Sequence, residues 1–287
     1  METTKGVVVQ TICKEVLQSS EGFTWFQQTM EKIGDDTTKP SQFYLSFSRA
    51  PRKLSKGPLQ LSEEQVNTFK RINPGFILDG WTIDELCRIA FMTQLPVQTN
   101  QTVLEKLFST ADLRESVALY KGVYYLDNAS DFIQRVIEGL RTNIQQVFDA
   151  IALDNPFPLT YFAELPWNQM VLKALFMERP IYRIFGLDER SNATLATILQ
   201  DYAHERWSAG RSVSPELWRG VVGYLNASIL SDVKRVLGAG QELEKFAAAR
   251  VLLDSGVEEG AQLIANYGLS TESLPSWDEI GVAVNRV

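Results

Sequence analysis

Apolar side chains recur at intervals of three and four residues along almost the whole of this chain, and that spacing limits the folds open to it. Between residues 131 and 152, one side of a helix would collect Ile133, Val136, Ile137, Leu140, Ile144, Val147, Phe148 and Ile151. This spacing predicts one amphipathic helix, or two helices joined near Thr142 and Asn143. No Asn-Gly or Asp-Gly turn joins two stretches of alternating polarity, so strands are at most marginal. The sequence therefore predicts an all-α protein.

Helix start signals recur along the chain. Ser62, Thr82 and Ser276 are each followed three residues later by Gln or Glu, which predicts a capping box at each position. Asp112 is expected to cap a helix that runs through Tyr120. Because these signals are closely spaced, they predict many short helices.

Residues 214–268 show the most regular spacing of predicted helices. Ser214 precedes Pro215, a residue favoured at the first position of a helix, and the segments that follow end near Asn226, Gly238, Asp254 and Gly268. Helix pairs of this length are typical of HEAT-type repeats, in which each pair buries its apolar face against its neighbours. We predict antiparallel helix pairs stacked in a compact, HEAT-like or irregular α-solenoid.

Chain length and proline positions bear on domain organisation. A chain of 287 residues is close to the size at which one hydrophobic core stops growing, ~250–300 residues. The main interruption is the segment 154–158, Asp-Asn-Pro-Phe-Pro, which cannot continue a helix. It is too short and apolar for a flexible linker. We predict a single all-helical domain over residues 1–287, with a division into two sub-halves near 154–158 as the alternative.

Charge and cysteine content narrow the partners and the compartment. A net charge of −7 repels phosphate backbones, so no nucleic-acid partner is expected. Cys13 and Cys87 form no disulfide framework and no CxxC motif, which favours a reducing compartment. Cys87 lies in an apolar stripe and is interpreted as a core residue. Because the N-terminal apolar stretch is too short for a signal peptide and no apolar run approaches the ~18–20 residues of a bilayer span, we expect a cytoplasmic protein without direct membrane insertion.

The familiar catalytic motifs are absent from the sequence. There is no GxGxxG after a strand, no P-loop, no GxSxG and no HExxH. The chain has one histidine, His204, whereas a di-iron bundle needs two and a zinc site usually needs more His or Cys. No metal and no cofactor are therefore expected. His204 is interpreted as an ion-paired or capping residue, with general acid–base catalysis and then metal ligation as the alternatives.

Two segments carry the candidate ligand-binding groups. Residues 166–176 are apolar on most sides of a helix, which predicts burial and requires partners for Asn168, Gln169 and Lys173. Either Lys173 extends to the surface while the amides bridge loops, or these groups form the polar floor of a pocket. Around residue 204, Arg206 and Arg211 are expected to stack on Trp207 or Trp218, to bind a carboxylate, or to form surface ion pairs. The candidate ligand-binding residues are Arg141, Asn143, Asn168, Gln169, Lys173, Tyr202, His204, Glu205 and Arg206.

Several motifs resemble the EboA family of bacterial proteins. The most specific are Trp167-Asn-Gln-Met-Val-Leu-Lys-Ala-Leu-Phe176, Tyr202-Ala-His-Glu-Arg-Trp207 and Ser214-Pro-Glu-Leu-Trp-Arg219, together with Phe43-Tyr-Leu-Ser-Phe-Ser-Arg-Ala-Pro-Arg52. The resemblance covers roughly residues 40–255. It implies a component of a gene cluster that makes a metabolite or moves one toward the periplasm. It also implies neighbours that look like a UbiA-type prenyltransferase, a sugar-isomerase-like barrel, a dehydroquinate-synthase-like protein and metal-dependent hydrolases, but it assigns no catalytic residue.

Two functional hypotheses follow. The preferred one is a non-enzymatic helical accessory protein, a scaffold or small-molecule binder, that acts with a bacterial secondary-metabolite synthesis or transport cluster. Its partners would be proteins of that cluster, a small metabolite, or both. The alternative is an enzyme with an unrecognised helical active site, in which Lys173, His204 and Glu205, with Arg141, act on a metabolite intermediate.

Overall fold

The computed structural model describes residues 4–35 and 40–286, which form α-helices and short 3-10 helices. No strand occurs in these ranges, where the β-type pairing consists of an isolated bridge between Pro58 and Thr82. The predicted all-α fold is confirmed. The start of the N-terminal segment weighed as a signal peptide, residues 1–3, lies outside the described residues. None of the helices in the described ranges combines the length and the apolar character needed to cross a membrane.

The chain divides into two compact units, Met1–Phe162 (unit 1) and Ala163–Val287 (unit 2). Unit 1 contains α1 (Lys5–Leu17), α2 (Phe23–Gly34), α3 (Pro40–Lys53), α4 (Glu63–Ile72), α5 (Ile83–Gln94), α6 (Val97–Phe108), α7 (Leu113–Gly122), α8 (Ile133–Gly139), α9 (Gln145–Ala152) and α10 (Phe157–Tyr161). Unit 2 contains α11 (Glu164–Phe176), α12 (Leu187–Arg190), α13 (Ala193–Ser208), α14 (Ala227–Ala239), α15 (Glu242–Asp254), α16 (Gly260–Asn266) and α17 (Trp277–Val284). The expectation of one domain with sub-halves near 154–158 stays a prediction.

The predicted helix starts are found where the sequence places them. Ser62, Thr82 and Ser276 each form a capping box, and Asp112 caps α7 in the same way. Of the two interpretations of residues 131–152, the two-helix one is correct, because the backbone between α8 and α9 is not helical. These local signals therefore account for the starts of α4, α5, α7 and α17.

Helix α5 is the central helix of unit 1. Nine of its twelve residues are buried, and α1, α2, α3 and α7 pack around it. Phe91 on α5 packs its ring against Trp25 and Phe26 of α2, at centroid distances of 5.9 and 5.5 Å. Cys87 is fully buried, as expected for a core residue.

A 3-10 helix, Pro215–Val221, occupies the centre of unit 2 in place of the α-helix predicted to end near Asn226. It packs against α13, α15 and α17. The tighter backbone comes close to α13 at Gly220, where an added Cβ would lie 2.4 Å from Leu199 Cδ1. Only glycine therefore fits this contact without displacing Leu199. Beyond it, α14 packs on α15, and the HEAT-like arrangement of these helices stays a prediction.

Candidate functional site

The residues predicted to bind a ligand are distributed over both units. Arg141 and Asn143 lie in unit 1, in the connection between α8 and α9, and both are exposed. The other seven lie in unit 2, where Asn168, Gln169 and Lys173 belong to α11 and the rest to α13. Their assignment to one ligand site stays a prediction.

Helix α11 buries the apolar face that the sequence predicts. Its buried apolar residues are Trp167, Met170, Val171, Ala174 and Leu175. Six of residues 166–176 are buried and three are half-buried, in line with the predicted burial, whereas Leu165 and Phe176 are 65% and 72% exposed. They lie near the two ends of the helix, where other segments of the same chain do not cover them.

The polar residues of α11 have separate environments. Asn168 is buried and exchanges two hydrogen bonds with Asn192, at 3.1 and 2.9 Å. Gln169 is exposed, and Lys173 is half-buried. Loss of solvation lowers the pKa of the Lys173 ammonium from its usual value. The amide of Asn168 is thus satisfied by a partner within unit 2 and is not available as an open pocket floor.

The two groups of predicted residues in unit 2 lie near opposite ends of helix α13. Asn192 caps its first turn by accepting a hydrogen bond from the backbone of Leu195, at 2.8 Å. His204 follows twelve positions later, about 18 Å along the axis at 1.5 Å per residue. The Asn168–Asn192 pair and His204 therefore lie toward opposite ends of this helix.

His204 belongs to a polar cluster between α13 and α14, formed with Gln200, Ser228 and Asp232. His204 Nε2 lies 2.8 Å from Asp232 Oδ2, and the Gln200 amide donates to that oxygen at 2.6 Å and to Ser228 Oγ at 2.7 Å. Because the acceptor is a carboxylate, the imidazole proton lies on Nε2. This pairing fits the interpretation of His204 as an ion-paired residue.

Aromatic rings lie next to this cluster of His204, Gln200, Ser228 and Asp232, which we call the α13–α14 cluster. The Trp207 ring lies 5.7 Å from His204 and 5.9 Å from Trp218. The cation above Trp207 is Arg235, with its guanidinium carbon 4.3 Å from the ring centre. Arg206, which the sequence associates with this ring, donates instead to the carbonyl of Ser212 at 2.8 Å.

The α13–α14 cluster has the groups for proton transfer at the protein surface. Asp232 orients the imidazole through Nε2, and the His204 side chain is 47% exposed, so the ring is accessible to a substrate at the surface. The described residues contain no group of three or more His, Cys, Asp and Glu able to hold a metal ion. The cluster therefore presents a single acid–base residue on an exposed surface.

The motif Ser214-Pro-Glu-Leu-Trp-Arg219 connects three segments of unit 2. The buried carboxylate of Glu216 accepts hydrogen bonds from the Tyr182 backbone at 2.7 Å and from the Asn285 amide at 2.9 Å. Burial raises the pKa of Glu216, and these two hydrogen bonds lower it in part. Arg219 binds Asp188 of α12 at 2.6 and 2.7 Å and Asp278 of α17 at 2.8 Å. These contacts give the motif a structural role.

A comparable network lies in the core of unit 1. Arg88 Nη1 binds Asp84 at 3.3 Å, its Nη2 lies 3.9 Å from Glu115, and its Nε donates to the Phe47 carbonyl at 3.0 Å. Ser48 donates to Glu115 at 2.6 Å. The motif beginning at residue 43 and the capping boxes of α5 and α7 thus meet in one buried ion network.

Unit 1 also has an open cleft between α1 and α4, which we call the α1–α4 cleft, with a volume of about 660 Å³. Its lining residues recur at helical spacing along both helices. They are Val8, Thr11, Ile12 and Glu15 on α1, and Ser62, Glu64, Gln65, Thr68, Arg71 and Ile72 at the start of and along α4. This volume lies within the range of small-molecule sites, ~300–1,000 Å³.

The chemistry of the α1–α4 cleft is mixed. Ile12 is buried at its base, whereas Glu15 and Arg71 are exposed along it. Gln65 donates to Glu15 at 2.9 Å and so connects the two helices across the cleft. Apolar carbons beside hydroxyl, carboxylate and guanidinium groups suit a ligand with one apolar face and several hydroxyl or carboxylate groups.

Sequence reasoning missed the α1–α4 cleft and the pairing of His204 with Asp232. Both depend on which helices pack together and in which register, and no motif reports that. A signal was present in the spacing of Thr11 and Glu15, and of Gln65 and Thr68, which places polar groups on one face of each helix.

A family model described as "Metabolite traffic protein EboA" matches residues 5–222, about three quarters of the chain. No curated protein and no solved structure matches the chain. The match begins earlier and ends earlier than the range of roughly 40–255 indicated by the motifs. It includes α1, α4 and the α1–α4 cleft, and it ends just after the Pro215–Val221 3-10 helix.

Proposed function

The chain belongs to the EboA family, and from that premise we propose that it is a non-enzymatic accessory protein that binds a small metabolite. It would act in the cytoplasm, beside the proteins of a bacterial secondary-metabolite synthesis or transport cluster. A HEAT-like stacking of the helices in residues 214–268 would give such a protein an additional surface for those partners.

The single observation that carries this proposal is the α1–α4 cleft. It has the volume of a metabolite site, and its lining combines an apolar base with hydroxyl, carboxylate and guanidinium groups. The carboxylates of Glu15 and Glu64 would accept hydrogen bonds from ligand hydroxyls, and Arg71 would bind a ligand carboxylate. The ligand class that fits is a small hydroxylated acid with one apolar face.

The experiment is untargeted mass spectrometry of the small molecules released from the protein purified from its own cells. The wild-type chain should retain a hydroxylated acid, whereas Glu15→Gln and Arg71→Ala should each reduce its amount at least tenfold. Glu31→Gln, an exposed glutamate on the neighbouring helix α2, is the matched control and should retain it. A wild-type preparation that releases no such compound would contradict binding.

The same measurement separates the α1–α4 cleft from the residues predicted by the sequence. Lys173→Ala and Arg141→Ala leave the cleft intact and should keep the compound. If Lys173→Ala loses it and Glu15→Gln keeps it, then the ligand site lies with the predicted residues on α11.

One specific observation favours an enzyme as the second candidate. His204 is oriented by Asp232 at 2.8 Å and is accessible to solvent, as a surface acid–base residue requires. Lys173 and Glu205 are the other groups that this alternative assigns to catalysis. Turnover of a cluster intermediate by the wild-type chain, abolished in His204→Gln, would establish it and displace the accessory function.

A further inference from the structure

Two buried cysteines lie in contact in the core of unit 1 and have no part in the proposed function. Cys13 is on α1 and Cys87 is on α5, and their sulfur atoms are 3.0 Å apart. Both side chains are 0% exposed. The contact joins residues 74 positions apart in the chain.

Packed helices hold the two sulfurs in place. Along α1, Gly6 and Gln10 contact Thr93 of α5, and Cys13 contacts Cys87. Residue numbers therefore increase along α1 in the direction in which they decrease along α5. Gln10 donates to Thr93 at 3.2 Å, and a Cβ on Gly6 would lie 3.0 Å from Thr93 Cβ. The two helices are thus antiparallel and closely packed, and their register brings the thiols together.

We propose that Cys13 and Cys87 are a modification site at which a disulfide oxidant, such as glutathione disulfide, forms an intramolecular disulfide between α1 and α5. The thiolate of one cysteine attacks the oxidant and releases one glutathione thiolate. The second cysteine attacks the resulting mixed disulfide and releases the other. The two protons lost by the cysteines are taken up by the two glutathione thiolates, so two thiols are oxidised and one disulfide is reduced.

Burial controls the rate of this reaction. Desolvation raises the pKa of Cys87 well above its usual value, and the contact with Cys13 raises it further, so the Cys87 sulfur stays protonated while the helices are packed. The first attack therefore needs a local separation of α1 from α5. Once formed, the disulfide would fix α1, one wall of the α1–α4 cleft, to the central helix of unit 1.

The test compares disulfide formation in the folded and unfolded full-length chain. The protein is equilibrated in glutathione buffers of graded thiol-to-disulfide ratio, with and without denaturing urea. The Cys13–Cys87 disulfide is then measured by alkylation and peptide mass spectrometry. Because folding holds the thiols together, the equilibrium constant for disulfide formation should be at least tenfold larger in the folded chain. A smaller ratio would overturn the proposal, as would a reaction that ends at a mixed or intermolecular disulfide.

A second measurement uses the melting temperature. The oxidised wild-type chain should melt several degrees above the reduced one, since the disulfide restricts the unfolded state. Cys13→Ala and Cys87→Ala, treated with the same oxidant, should show no such increase. An oxidised wild-type chain that melts at or below the reduced one would contradict the proposal without recourse to any variant.

Discussion

Each unit contains an arginine held between two carboxylates, and the two networks differ in burial. In unit 1, Arg88 is 2% exposed and its partners Asp84 and Glu115 are 0% and 9% exposed. In unit 2, Arg219 is 14% exposed, whereas Asp188 and Asp278 are 59% and 70% exposed. The same chemistry therefore operates inside a core in one unit and at the surface in the other.

This difference indicates that contact distances alone do not determine how much an ion network contributes to the free energy of unfolding. The Arg219 contacts are short, and those of Arg88 are longer. Removing Arg88 would nevertheless leave two buried carboxylates without their buried cation, whereas the partners of Arg219 would return to water. Unit 1 should consequently be the more sensitive of the two to loss of its arginine.

The largest effect is expected for Arg88→Met, which should lower the free energy of unfolding by about 3–5 kcal/mol. The methionine fills part of the space but leaves Glu115 without its cation and Asp84 with the exposed Arg114 as its remaining cation. Urea unfolding followed by circular dichroism measures the change.

A control and a compensating variant sharpen this first prediction. Arg114→Ala removes a 47% exposed arginine from the same Asp84 and should cost below about 1 kcal/mol. Replacing Arg88, Asp84 and Glu115 together by Met, Leu and Leu should cost less than Arg88→Met alone. A loss under ~1 kcal/mol for Arg88→Met would remove the proposed difference between the two networks.

An intermediate effect is expected for Arg219→Ala, about 1–2 kcal/mol, because its partners regain solvation. Asp188→Asn and Asp278→Asn each remove one arm and should each cost less than the arginine variant. Urea unfolding of the three proteins measures these values. If Arg219→Ala lowers the free energy of unfolding as much as Arg88→Met does, burial does not explain the difference between the two networks.

Local signals made much of this fold predictable. The capping boxes at Ser62, Thr82 and Ser276 depend on residues three positions apart, and the structure contains all three. The break between α8 and α9 was one of two interpretations that the periodicity allowed. Such features need no knowledge of which helices are neighbours.

Tertiary packing determined what the sequence did not reveal. The Pro215–Val221 segment is a 3-10 helix whose Gly220 packs against Leu199, and no local pattern separates this from a short α-helix. The pairs His204–Asp232 and Cys13–Cys87 depend on the register between separate helices. The α1–α4 cleft was missed for the same reason.

A smaller effect concerns pH and Glu216. Because burial raises its pKa in the folded state, the folded chain binds this proton more tightly than the unfolded chain. Its contribution to stability is fully present below the unfolded pKa and is lost as pH rises through the folded pKa. Lowering the pH toward that range should therefore stabilise the wild-type chain relative to Glu216→Gln.

The difference in unfolding free energy between the wild-type chain and Glu216→Gln cannot change by more than about 1.4 kcal/mol per pH unit, because one proton is involved. Unfolding in urea at a series of pH values, carried out on both proteins, measures it. A wild-type chain that loses stability relative to Glu216→Gln on acidification would reverse the sign and contradict the prediction.

The smallest effect is expected for His204→Gln, at most about 0.5 kcal/mol near neutral pH, because the histidine is about half exposed. Gln200 would still donate to Asp232. Thermal unfolding at neutral pH measures this. A loss above ~2 kcal/mol would show that a surface pair in unit 2 stabilises the chain as a core pair does in unit 1.

The Arg219 contacts bear on how the EboA family is delimited. The shared part of the sequence stops at residue 222, yet Asp278 and Asn285, which bind Arg219 and Glu216, belong to the last 65 residues. A chain shortened to the shared part would lose these partners and uncover the apolar side of the Pro215–Val221 3-10 helix. We therefore expect a chain that ends at residue 222 to be less stable than the full chain, unless another segment covers that surface.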